Sequence, residues 1–235
     1  MDNDTQKFHA ALDLSGAEAA LAVMPDGAAV PVLVAHREMR GRGAALLLEW
    51  IKECLAAQNI DLSRITRWTV GSGPGSFTGL RMAAALVGGL VFGQEDMVAR
   101  TMPTAFGLAA DCSASPGDGI ATLFDGRNHE LLLFGVRKTV EGLESDGVSR
   151  VIDAASAAET LGRYPHMAAF VHDRTAILKV LPPEMHGRIC FIEHLPVDKM
   201  LSLPSDNWNN DLTELVYIRQ AVFTQPVDPV AAKMI

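Results

Sequence analysis

Cysteine is scarce in this chain, and the three that occur, Cys54, Cys112 and Cys190, are widely separated. An odd, scattered set of thiols fits a reducing compartment better than a disulfide framework. The N-terminus has no charged-then-apolar leader pattern. The longest uncharged apolar run, residues 82–92, is shorter than the roughly 20 residues that cross a bilayer. We therefore expect a cytoplasmic protein without a membrane partner.

Basic residues are also too few to suggest a nucleic-acid binder. Lys and Arg total 20 against 28 Asp and Glu, which gives a formal net charge of -8. A protein that binds RNA through its phosphates needs a basic stripe, and no Lys/Arg-rich run with interleaved aromatics occurs. The 49% apolar and 20% charged composition is instead typical of a globular protein. We expect contact with RNA only through a complex.

Alternating strand and helix signals predict an α/β fold. The first part of the chain contains predicted strands at 8–14, 19–24, 30–35 and 65–70 and predicted helices at 43–57 and 76–92. This order favours a mixed sheet covered by helices. Weaker signals follow: helices at 102–110 and 175–181, strands at 120–124, 129–136, 168–172 and 189–192, and a loop at 141–150. We expect an N-terminal lobe over residues 1–100 and a smaller, reduced lobe over 101–235.

A glycine-rich turn, Gly71-Ser72-Gly73-Pro74-Gly75-Ser76, separates the last strand of the first part from its second helix. Ser76 is well placed to cap that helix, and a helix N-terminus after such a turn could bind an anion. However, no lysine precedes Ser76, as a P-loop requires, and Ser76 occupies a position where the dinucleotide fingerprint needs glycine. A structural turn is therefore favoured over phosphate binding.

The helix that follows this turn is rich in small residues. Gly79, Gly88 and Gly89 each cost roughly 1 kcal/mol relative to alanine, and a run of alanines lies between them. Apolar residues surround the helix, and the helix at 43–57 also carries a wide apolar stripe. Small residues allow another helix to approach closely. Two interpretations remain open: burial within this chain, or an interface between both helices and a partner.

No catalytic pattern emerges from the polar residues. The histidines are His9, His36, His129, His166, His172, His186 and His194. No two of them lie three or four residues apart, so no helical metal-ligand pair is predicted. Ser76 lies outside a Gly-x-Ser-x-Gly elbow. Asp13 could act as a carboxylate toward a phosphate or a metal-bound water, but an ordering role in its turn is the simpler hypothesis.

The most specific motif in the chain is Gly73-Pro74-Gly75-Ser76-Phe77-Thr78-Gly79-Leu80-Arg81. It is similar to the signature of the TsaB (YeaZ) family, which is related to TsaD/Kae-type proteins and to the glycoprotease (peptidase M22-like) superfamily. Leu12-Asp13-Leu14-Ser15 resembles the end of its first strand. Asp125-Gly126-Arg127 and Val216-Tyr217-Ile218-Arg219 resemble two further family segments, so the resemblance touches the whole chain.

The resemblance implies an actin-like ATPase (ASKHA, ribonuclease H-like) fold of two lobes. It also implies a non-catalytic scaffold that pairs with TsaD, which threonylcarbamoylates the adenosine next to the anticodon in tRNAs reading ANN codons. TsaE, an ATPase, would complete the complex, and the chain alone would form a homodimer. We expect no cofactor or metal of its own, although a nucleotide could lie at the partner interface. A small ATP-dependent enzyme or a peptidase of the same superfamily is the alternative.

The expected partner interface lies on the two predicted helices. Its residues are Leu46, Trp50, Phe77, Gly79, Leu80, Arg81, Ala83 and Ala84. Arg81 is in the first helical turn, where the helix dipole disfavours a positive charge. We therefore expect its charge to be used in a contact outside the helix, such as an ion pair across the interface.

Overall fold

The first part of the chain folds into a mixed sheet of five strands with two helices. The structure is a computed structural model that describes residues 6–39, 46–204 and 207–219. The elements of this lobe are β1 (Phe8–Asp13), β2 (Glu18–Pro25), β3 (Leu33–Glu38), α1 (Leu47–Ala56), β4 (Ile65–Gly71), α2 (Phe77–Val91) and β5 (Val98–Met102). The strand order in the sheet is β3-β2-β1-β4-β5. β1 is antiparallel to β2 and parallel to β4, and all six of its residues are buried, as suits a central strand.

A second five-stranded sheet follows. The elements of this part are α3 (Thr104–Ala110), β6 (Gly119–Asp125), β7 (Glu130–Lys138), β8 (Leu143–Asp153), α4 (Ala154–Leu161), β9 (His166–Phe170), α5 (Arg174–Val180), β10 (Ile189–Ile192) and α6 (Val197–Ser202). The strand order in this sheet is β10-β9-β6-β7-β8. β6 is antiparallel to β7 and parallel to β9, as β1 is to β2 and β4, so both sheets share one connectivity. This repeated order confirms the predicted α/β class and the two related lobes expected of an actin-like fold.

Side-chain alternation in the central strands divides the interior into three apolar cores. In β1, Ala10 and Leu12 face the core beneath α1 and α2, whereas Ala11 faces the opposite core. That second core lies between the two sheets and includes residues of α3 and α6. The third core lies on the outer face of the second sheet, beneath α4 and α5. The period-2 pattern of each strand therefore places helices on both faces.

The second lobe is reduced in its helices rather than in its sheet. α4 and α5 have eight and seven residues, against ten and 15 in α1 and α2. The predicted loop at 141–150 was wrong, because most of it belongs to β8. β8 is an edge strand of largely exposed polar residues, and Gly147, with a φ of 82°, interrupts its alternation. Such a strand carries no hydrophobic signature.

The boundary predicted between residues 100 and 101 falls inside β5, a strand of the first sheet. The chain also returns to the first lobe near its end. α6 contacts β1 and β2, Leu212 joins the core beneath α1 and α2, and the Val216 amide donates to the Ser72 carbonyl at 2.8 Å. Of the helix predicted at 43–57, residues 43–45 lie outside the described part. None of the described helices combines the length and apolar character needed to span a membrane.

Candidate functional site

The glycine-rich turn is built around a close approach between α2 and the end of β1. Ser76 caps α2, its hydroxyl accepting a hydrogen bond from the Gly79 amide at 3.2 Å, as the sequence predicts. A Cβ at Gly79 would lie less than 3.0 Å from the Leu14 carbonyl oxygen. The Ser76 amide in turn donates to the Ser15 carbonyl at 2.6 Å. Packing of backbone on backbone explains the glycine without any ligand.

Asp13 is the polar centre of this junction. It is fully buried, and its Oδ1 accepts a hydrogen bond from the Ser15 amide at 2.6 Å. Its Oδ2 accepts from the Thr104 hydroxyl at 2.5 Å, and that hydroxyl accepts from the Gly73 amide at 3.2 Å. Burial raises the pKa of Asp13, although the hydrogen bonds from Thr104 and Ser15 oppose that rise. The carboxyl therefore joins β1, the glycine-rich turn and α3, and it has no surface available to a nucleotide or metal ion.

The structure divides the eight predicted interface residues between the core and the surface. Those buried in the chain's own first lobe are Trp50, Gly79, Leu80 and Ala83. Those that keep accessible surface are Leu46, Phe77, Arg81 and Ala84. A bulky residue at a position of the first group would disrupt this chain's own packing. Only the second group can contact a partner directly without rearrangement of the lobe.

The solvent-exposed side of α2 is apolar and built from small residues. Its exposed positions, spaced by three or four residues, are Thr78, Arg81, Ala85, Gly89 and, just past the helix end, Phe92. We call this set the α2 face. Phe92 is 85% exposed, and Arg81 is the helix's one charged residue. An exposed helix side normally carries many polar residues, so the α2 face is unusual for a free surface.

Sequence reasoning missed four members of the α2 face, namely Thr78, Ala85, Gly89 and Phe92. The helical spacing that links them to Arg81 was visible in the sequence. However, apolar residues surround the whole of α2, so the pattern could not show which side is turned to solvent. The buried side is decided by the sheet that the helix covers, and that sheet is formed by distant parts of the chain.

Arg81 joins the α2 face to the C-terminal segment. Its guanidinium carbon lies 3.7 Å from the ring centroid of Phe77, and its Nε donates to the Tyr217 hydroxyl at 3.2 Å. The Phe77 and Tyr217 rings are 4.9 Å apart, and Tyr217 is 41% exposed. Within the described residues, Arg81 forms no ion pair. Its charge is thus held by aromatic contacts while remaining accessible to an acidic group from outside.

The C-terminal segment also contacts the hairpin between β6 and β7. The guanidinium of Arg219 forms an ion pair with Glu130. In the adjoining turn, Asp125 Oδ1 accepts from the Arg127 amide at 2.7 Å, and the Asp125 amide donates to Asp173 at 3.1 Å. Burial raises the pKa of Asp173. Segments distant in sequence, each singled out by the resemblance, are therefore neighbours in the fold.

With this geometry established, known proteins provide the comparison. The family model of TsaD, tRNA N6-adenosine threonylcarbamoyltransferase, matches residues 40–192, more than half of the chain. The chain belongs to the TsaD family. Comparison with curated protein sequences yields no significant match.

Two solved structures from Pseudomonas aeruginosa share the fold of this TsaD-family chain. The first, of an uncharacterized protein with similarity to peptidase YeaZ, has a TM-score of 0.66 and 21% identity, covering 91% of this chain and 100% of that chain. The second, YeaZ, has a TM-score of 0.63 and 20% identity, covering 84% of this chain and 90% of that chain. The predicted resemblance to TsaB (YeaZ) is confirmed at the level of family and fold.

Proposed function

We propose that this chain is a non-catalytic accessory subunit that pairs with a TsaD-like protein. The complex would carry out threonylcarbamoylation of the adenosine next to the anticodon in tRNAs reading ANN codons. The observation that carries the proposal is the α2 face, a small-residue, apolar helix surface exposed in a TsaD-family chain. Membership of the TsaD family indicates the reaction, and the α2 face offers a surface through which this chain could bind as a subunit.

The chemistry of the α2 face suits a helix from another protein. Ala85 and Gly89 would let a second helix approach closely, and Phe92 would be removed from water. Next to these residues, Arg81 and Tyr217 are of the residue types enriched among interface residues that dominate binding energy. The guanidinium of Arg81 could pair with a carboxylate of the partner. In the absence of a TsaD-like protein, the same surface would support a homodimer.

A non-catalytic role agrees with the chemistry available in this chain. The sequence has no His-x-x-x-His pair, which the resemblance associates with the catalytic subunit. Asp13, the carboxylate best placed for ATPase chemistry, is buried and hydrogen-bonded at both oxygens. A net charge of -8 favours tRNA contact through the complex rather than by this chain alone. A TsaE-like ATPase and a nucleotide at the partner interface belong to the same proposal, as does a cytoplasmic location.

Co-purification with the cognate TsaD tests the proposal. We expect a complex with the wild-type chain, and binding about ten-fold weaker or worse for Ala85→Trp, because an exposed indole would block close helix contact. The matched control is Ala158→Trp, at another exposed alanine, on α4 in the other lobe. The control should bind like wild type, and both variants should keep the wild-type circular dichroism spectrum.

Two outcomes would contradict the proposal. One is the absence of a complex even with ATP and TsaE present. The other is wild-type binding by Ala85→Trp, which would remove the α2 face from the interface. ATP hydrolysis or peptide cleavage by the isolated chain would instead favour a small enzyme of the same superfamily.

A further inference from the structure

Two histidines and a glutamate meet where the first lobe contacts the connection between β10 and α6. Glu18 is the first residue of β2, His36 lies on β3, and His194 precedes α6. Each offers one potential ligand atom, and these atoms all lie within 4.8 Å of one another. Among the described residues, this is the one group of three such side chains found at that spacing. No spacing rule along the sequence connects its members.

The backbone of Leu195 positions two of the three side chains. Its amide donates to Glu18 Oε1 at 2.8 Å, and its carbonyl lies 3.1 Å from His36 Nε2. A carbonyl can only accept, so Nε2 of His36 is the donor in this contact and Nδ1 is the nitrogen left for a metal ion. Leu195 itself is 1% exposed and packs in the core between the sheets. The orientation of these donors is thus fixed by a well-packed residue, as in many metal sites.

The arrangement of the third side chain also favours a cation. His194 Nδ1 lies 3.2 Å from Glu18 Oε2, and its ring stacks on that of His36 with centroids 4.5 Å apart. Two protonated imidazoles at this separation would repel each other, whereas one shared metal ion would bind both in their neutral form. Because imidazole lone pairs lie in the ring plane, the exposed His194 ring would turn out of this stack to bind the same ion as His36, and the ion would replace its hydrogen bond to Glu18.

We propose that Glu18, His36 and His194 bind a divalent transition-metal ion such as Zn²⁺. Two imidazoles and one carboxylate are typical donors for zinc, and three protein ligands leave a fourth position for water. The ligands come from β2 and β3 of one lobe and from the segment after β10 of the other. The bound ion would therefore join the two lobes and stabilise the folded chain. This site is separate from the α2 face.

Calorimetric titration of the chelator-treated full chain with ZnCl₂ tests this site. We expect one saturable equivalent for wild type and binding at least about ten-fold weaker for Glu18→Gln and His194→Ala. Glu18→Gln preserves an oxygen for the Leu195 amide, and His194 is largely exposed, so neither change disturbs the core. Zn²⁺ should also raise the thermal unfolding midpoint of wild type more than that of His194→Ala.

Two matched controls separate this site from other metal-binding groups. His166→Ala removes a histidine that lies 3.0 Å from the Asp118 carboxylate and that belongs to no three-ligand group among the described residues. Cys190→Ser removes an exposed thiol. Both should bind Zn²⁺ like wild type. The inference is overturned if wild type shows no saturable binding, if Glu18→Gln and His194→Ala bind as tightly as wild type, or if Cys190→Ser abolishes binding. The absence of saturable binding by wild type overturns the inference even if a variant fails to fold.

Discussion

Replacing Gly79 by alanine should destabilise this chain, although alanine is the better helix former. Propensity alone would stabilise α2 by about 1 kcal/mol. However, the new methyl group would lie less than 3.0 Å from the Leu14 carbonyl oxygen. Leu14 follows β1 directly and precedes Ser15, whose amide is hydrogen-bonded to Asp13, so this backbone cannot shift freely. Overpacking costs about 1–3 kcal/mol, and a clash with backbone belongs at the upper end, which leaves a net loss of about 2 kcal/mol.

Gly89→Ala is the matched control in the same helix. A Cβ at Gly89 meets nothing within 4 Å, so this variant should gain about 1 kcal/mol from helix propensity. The free energies of unfolding of the two variants should therefore differ by about 3 kcal/mol, with Gly79→Ala less stable and Gly89→Ala more stable than wild type. Urea titration followed by tryptophan fluorescence reports this difference, since Trp50 and Trp68 are buried in the core beneath α2. Equal stabilisation by both alanines would refute the close approach between α2 and the end of β1.

The remaining predictions concern buried polar groups. Burial, with Arg100 and Arg67 nearby, lowers the pKa of His9 from 6.5 to about 3. Below about pH 6.5 the unfolded chain therefore binds a proton at His9, whereas the folded chain does not. The free energy of unfolding should fall by roughly 3 kcal/mol between about pH 6.5 and about pH 4.5. His9→Gln should lack this loss in urea titrations at both pH values, and parallel pH profiles would contradict the assignment. Thr104→Val should lower the free energy of unfolding by about 3 kcal/mol, because it leaves Asp13 Oδ2 and the Gly73 amide unpaired. Thr78→Val, at the surface, should change it very little. Equal unfolding midpoints for the two variants would contradict this role for Thr104.

The sequence predicted elements well where local patterning and tertiary environment agree. The continuous apolar run of β1 indicated a central strand, and Ser76 after the glycine-rich turn indicated the start of α2. It failed for β8, whose exposed edge position allows polar residues on both sides. α4 and α6 were also missed because both are short, and α6 packs against β1 and β2, which are distant in the sequence.

In the candidate site, local motifs could also be predicted from the sequence, whereas contacts between distant parts of the sequence could not. The glycine-rich motif predicted a special turn, but the reason for Gly79 is the carbonyl of Leu14, which belongs to another part of the sequence. Arg81 was expected to use its charge outside the helix, and its observed contacts are Phe77 and Tyr217. Likewise, histidine spacing gave no metal ligands, whereas folding brings His36 beside His194. Proximity created by sheet order and lobe packing has no signature in local spacing.

Site-specific photo-crosslinking tests the central claim, that the α2 face binds a TsaD-like protein. A photoreactive phenylalanine analogue would replace Thr78, an exposed member of the α2 face, or Ala158 on the exposed side of α4 as the matched control. After irradiation with purified cognate TsaD, we predict a crosslinked heterodimer from position 78 and none from position 158. A crosslink to TsaD from position 158 alone, or from neither position, would contradict the account.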